Sequence, residues 1–135
     1  MQSLRQQNLK RTAMMVLLAL TCTSCAGPAA TTKSWPDGSR VTDFAVPGKN
    51  YRLQMPPQHM RDGIARLMQA GRAPHFLRLH PRQLRQRCPG AVDVLGCTRS
   101  MRNLKVVYVN SLLQGEELRM VLEHEFAHYL YDWKH

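Results

Sequence analysis

A chain of 135 residues is long enough for one small domain and too short for two. The formal net charge of +10 points to anionic surroundings, but only 7% of residues are aromatic, so stacking on nucleic-acid bases is poorly supported. The apolar run at residues 13–20 is about half of the roughly 20 residues a membrane-spanning helix needs, which argues against a permanent transmembrane anchor there.

Residues 1–24 have the layout of a secretory signal. Arg5, Lys10 and Arg11 form a basic start, the apolar run follows, and small and polar residues lead to Cys25. The cut site resembles a bacterial lipobox, in which a cysteine is lipidated and becomes the mature N-terminus. Cys25 fits best, with Thr23 and Ser24 before it and Ala26-Gly27 after it. Cys22 departs from the pattern, which prefers leucine there; lipidation at Cys22 and ordinary signal cleavage are the alternatives. Ala26 resembles the signal for outer-membrane delivery. The expected location is therefore the cell envelope, on the periplasmic face of the outer membrane, with the membrane reached through the lipid anchor.

Removing the leader lowers the formal charge to +7, much of it arginine between Arg72 and Arg102. For an exported chain, anionic lipid headgroups or acidic polymers are nearer partners than nucleic acid. A solvated basic surface is the simpler reading. Export also allocates the cysteines: Cys88 and Cys97 remain as a pair, and in an oxidising compartment they are expected to form a disulfide.

Residues 25–34 read as a flexible tether, and 35–135 as the domain. Trp35-Pro36-Asp37-Gly38-Ser39 is a turn, followed by a short strand at 41–46 that ends at Pro47-Gly48. Met60, Ile64, Leu67 and Met68 recur at helical spacing after Pro56-Pro57, predicting a helix over 58–70 that stops at Gly71. Phe76, Leu77 and Leu79 suggest a short strand between His75 and His80. Residues 82–87 could make a helical turn, and 91–95 another strand. The clearest strand is Lys105-Val106-Val107-Tyr108-Val109, and the clearest helix runs from Gly115 to Tyr131. Glu116 and Glu117 suit that helix's first turn. Leu118, Leu122, Phe126 and Leu130 form its apolar stripe.

This last helix carries His124-Glu125-Phe126-Ala127-His128. Histidines four apart project from one face, close enough to hold a single Zn²⁺. The glutamate between them can take a proton from water at the metal, where zinc brings the water's pKa to roughly 7. The sequence here resembles the zincin metallopeptidases, over about the last 80 residues, although only the five-residue motif is specific. The resemblance implies an α+β, minimal zincin-like domain: a small twisted sheet packed on a backing helix (58–70) and a C-terminal helix bearing HExxH. It also implies His124 and His128 as ligands, Glu125 as general base, the strand around Tyr108 as the substrate edge, and a peptide or protein substrate.

The third ligand departs from the family patterns. Asp132 and His135 are the preferred candidates, ahead of His75 and His80. Asp132 lies about 6 Å along an unbroken helix from His128, so it would need a bend, whereas the chain end can fold back. Tyr129 and Tyr131 are candidate oxyanion donors, with core packing the simpler role for Tyr129. His59 carries no argument. The competing readings are a non-enzymatic envelope lipoprotein and a basic binding module with a vestigial metal site.

Overall fold

The structure, a computed structural model, describes residues 30–46, 49–90 and 94–135. The leader, Cys22 and Cys25 lie outside them. The described fold is α+β, with two three-stranded sheets and three helices. Strands β1 (Ala30–Ser34), β2 (Arg40–Val46) and β3 (Lys49–Met55) form an antiparallel meander, and β2 pairs with β3 in unbroken register from Arg40↔Met55 to Val46↔Lys49. Helix α1 (Gln58–Gln69) follows, then β4 (Phe76–Leu79), α2 (Pro81–Arg87), β5 (Gly96–Met101), β6 (Leu104–Asn110) and α3 (Gly115–Tyr131).

The second sheet has the order β4-β6-β5, with β4 parallel and β5 antiparallel to β6. Strand β6 is its middle member because Val107 and Val109 face α3 while Val106 and Tyr108 face α2, so both faces of the strand are covered. The expectation that the strand around Tyr108 is an edge is thus corrected: β5 is the outer strand on the side that meets α3.

Helix α3 also differs from its sequence pattern. A single apolar stripe predicts one buried face, yet residues 120–127 are buried without interruption and Leu130 is 38% exposed. The cause is that β3 and α1 contact the helix as well as β5 and β6. A helix covered from several sides buries its whole circumference, charged groups included. Met55, Ile64, Val107, Val109, Val121 and Phe126 make the centre of this core.

Three further differences concern the strands. Residues 30–34, assigned by composition to a tether, form β1. Strand β3 has no counterpart among the expected elements. Of the strand expected at 91–95, residues 91–93 lie outside the described ones; the next described strand is β5, which begins at Gly96. Cys88 and Cys97 are bonded, which ties the end of α2 to β5. No helix among the described residues is long and apolar enough to cross a membrane.

Candidate metal centre

His124 and His128 occupy successive turns of α3, and each ring is held by a backbone carbonyl. His124 Nδ1 lies 2.5 Å from the Gln54 carbonyl oxygen on β3, and His128 Nδ1 lies 2.5 Å from that of Trp133. A carbonyl can only accept, so both Nδ1 atoms carry a hydrogen, and in a neutral ring the Nε2 then presents a lone pair. Those two Nε2 atoms face each other at 3.1 Å. Two nitrogens each about 2.0–2.1 Å from one tetrahedral metal would be roughly 3.3 Å apart. A proton shared between the rings is the other way to reconcile the lone pairs. Burial, above all, pushes His124 down to about 3, so its own Nε2 keeps its lone pair near neutral pH. The residues therefore fit a metal ion.

The chain end supplies the third nitrogen. Asp132 is left-handed, at φ 47° and ψ 33°, and it ends α3. The Trp133 N–H returns to the Ala127 carbonyl at 3.3 Å, which closes the helix end. Beyond it the His135 ring stacks on Trp133, with centroids 4.8 Å apart, and comes within 4.8 Å of the His124 ring and 5.1 Å of the His128 ring. One nitrogen from each of His124, His128 and His135 lies within 4.8 Å of the others, so the three could hold a metal ion. They grade from buried to exposed, which leaves the group open to solvent on the His135 side.

Of the two candidates for third ligand, the structure brings His135 and not Asp132 to this group. Asp132 is exposed and paired with Lys105 Nζ at 2.9 Å, and that lysine holds its carboxyl below the usual range. Lys105 also donates to the Tyr129 carbonyl at 3.0 Å, binding the end of α3 to β6. His59, His75 and His80 are exposed, and His80 Nδ1 caps α2 by accepting from the Arg82 N–H. Tyr129 packs against the core beneath Lys105, and Tyr131 lies against Gly63 of α1. These contacts give no support to an oxyanion role for either tyrosine.

Glu125 is buried against β5. The Thr98 hydroxyl donates to its Oε2 at 2.9 Å and also lies 3.0 Å from its backbone carbonyl. Burial pushes the Glu125 carboxyl up to about 7, against the pull of Thr98. The helix approaches the strand closely at Gly96, where a Cβ would stand 3.3 Å from Glu125 Cγ and 2.8 Å from the Tyr108 carbonyl oxygen.

No protein-family model, curated protein or solved structure matches the chain.

Sequence reasoning misses Gln54, Thr98 and Trp133 as parts of this site. The first two sit on other strands and reach the helix only through folding. Trp133 acts through its main chain and ring face, for which no local pattern exists.

Proposed function

We propose that the chain is an exported lipoprotein, anchored through Cys25 on the periplasmic face of the outer membrane, whose folded part is a zinc-dependent metallopeptidase of the zincin type. The observation that carries the enzymatic reading is the pair of Nε2 atoms facing each other at 3.1 Å, each ring held by a carbonyl at its Nδ1. Partners of that kind orient metal-binding imidazoles and raise their basicity. His124, His128 and His135 would hold the ion. When bound, zinc would supply a Lewis acid that polarises a peptide carbonyl and acidifies water.

Glu125 serves as the general base. With Oε2 engaged by Thr98, its Oε1 is left to take a proton from water and pass it to the departing amine. A carboxyl raised toward neutrality accepts and releases that proton with little penalty. The substrate edge belongs to β5, which is outermost in its sheet and carries Thr98. An extended peptide added along that edge would lie beside Glu125.

The test is zinc content after dialysis against a weak chelator, for the wild type, His128→Ala and Glu125→Gln. About one zinc per chain is expected in the wild type and Glu125→Gln, with loss in His128→Ala. Hydrolysis of unstructured peptides should be confined to the wild type. A metal-free wild type, or a Glu125→Gln variant that cleaves normally, would overturn the proposal.

A further inference from the structure

Helix α2 covers only part of the second sheet's outer face. Leu84 and Cys88 pack on Tyr108, with Leu79, Cys97 and Val106 around them. Past the end of α2, no element among the described residues covers the β5–β6 hairpin. Met101 and Leu104, directly paired at its tip, are 48% and 60% exposed. Between them Arg102 is held left-handed at φ 53°, which costs a side-chain-bearing residue roughly 1–2 kcal/mol.

Beside this tip is a cavity of about 170 Å³, lined by Gln86, Arg87, Pro89, Arg99, Met101 and Tyr108. Arg87 and Arg99 are exposed, and neither forms an ion pair with any described residue. The surrounding sequence offers almost no neutralising charge: between Asp62 and Glu116 there are nine Lys and Arg and one carboxylate, Asp93. Two unpaired guanidiniums at the wall of a small cavity suit a phosphate monoanion, and an exposed apolar pair next to them suits the start of an acyl layer.

We propose that this hairpin tip docks on an anionic phospholipid bilayer. A headgroup phosphate sits between Arg87 and Arg99, and Met101 and Leu104 reach the acyl boundary. Charge complementarity selects the anionic surface, and the apolar pair distinguishes a bilayer from a nucleic acid, for which the tip has no aromatic platform. The surface does not depend on the metal centre. It would act beside a lipid anchor, since a single acyl chain gives marginal membrane binding and a second contact makes it stable.

The experiment uses the full chain with Cys22→Ala and Cys25→Ala, so that no acyl chain is attached. It is sedimented with vesicles of phosphatidylcholine and with vesicles in which about a third of the lipid is phosphatidylglycerol. Adding Arg87→Gln and Arg99→Gln should lower the preference for anionic vesicles roughly thirtyfold, at about 1 kcal/mol for each cation. Adding Met101→Ser and Leu104→Ser instead should weaken binding to anionic vesicles about tenfold or more. All four side chains are exposed, so thermal unfolding should be unchanged in each variant. A preference that survives the arginine changes overturns the proposal. So does serine substitution without effect, above all if an oligonucleotide then competes as well as lipid does.

Discussion

His128 Nδ1 reaches the carbonyl of Trp133 only because Asp132 between them turns the chain back on itself. The left-handed backbone at Asp132 is tolerated by Asp and Gly and resisted by Ala, by about 1–2 kcal/mol. Asp132→Ala favours continuing the helix, which would carry Trp133 and His135 away from the other two histidines. Zinc affinity should fall about 10- to 100-fold in Asp132→Ala and stay near the wild-type value in Asp132→Gly. Both variants lose the Lys105 ion pair, so competition with a chelating dye isolates the backbone effect. Equal affinities would remove His135 from the ligand set.

Thr98→Val keeps the shape of the side chain and deletes the hydroxyl that holds Glu125 Oε2. A buried carboxyl without its donor is less oriented and harder to ionise. Peptide hydrolysis should drop roughly 10- to 100-fold with zinc stoichiometry unchanged, and the acidic limb of its pH profile should move to higher pH. An unshifted profile would mean that Thr98 does not tune the base.

The metal-free domain should show an unusual dependence on acid. His124 titrates at about 3 in the folded chain against an ordinary 6.5, so between those values the unfolded chain binds the extra proton and stability rises with pH. Glu125 titrates at about 7 against an ordinary 4.5, so between those values the folded chain holds the extra proton and stability falls as pH rises. From about pH 4.5 to 6.5 the two contributions oppose and nearly cancel. Glu125→Gln removes one of them. Relative to the wild type, the variant should gain about 1.4 kcal/mol per pH unit across that window. Chemical denaturation of both apo proteins checks this, and parallel stability curves would refute it.

Two glycines should respond oppositely to alanine. At Gly96 the new methyl meets the Tyr108 carbonyl at 2.8 Å, a main-chain atom that cannot swing aside. Gly96→Ala should cost about 1–3 kcal/mol and disturb α3, where Val121 Cγ1 at 3.2 Å and Glu125 Cγ at 3.3 Å are the next neighbours. At Gly63 the methyl meets the hydroxyl end of Tyr131, which is exposed and free to rotate away. Gly63→Ala lies inside α1 and should be neutral or stabilising by up to about 1 kcal/mol. Urea unfolding of the two variants side by side decides it.

Much of the second half of the fold is legible from local pattern. The β-branched run of β6, the helical spacing in α1 and α3, and the pair Cys88–Cys97 each carry a signal within a few residues. Strand β3 also has one: Tyr51, Leu53 and Met55 alternate with polar residues, a period obscured by the charged and amide side chains between them. Strand β1 has almost none, since its alanine, threonines and serine read equally well as a linker. The histidine pair is legible because both members lie on one helix. Its supports are not, because Gln54 and Thr98 arrive from strands 70 and 27 residues away. The choice between Asp132 and His135 depends on a single backbone angle, and Asp at a helix end is compatible with either outcome.

The disulfide has a consequence for when the protein can work. It lies between Arg87 and Thr98, gripping through β5 both the strand that steadies Glu125 and the wall of the arginine-lined cavity. Closing a loop this short contributes on the order of 2–3 kcal/mol to so small a domain. Titration with a reductant should therefore weaken hydrolysis and vesicle binding over the same range of potential, whereas separate midpoints would show the two faces to be uncoupled. If they fall together, a chain in a reducing compartment is latent on both counts, and oxidation of the Cys88–Cys97 pair switches on both in one step.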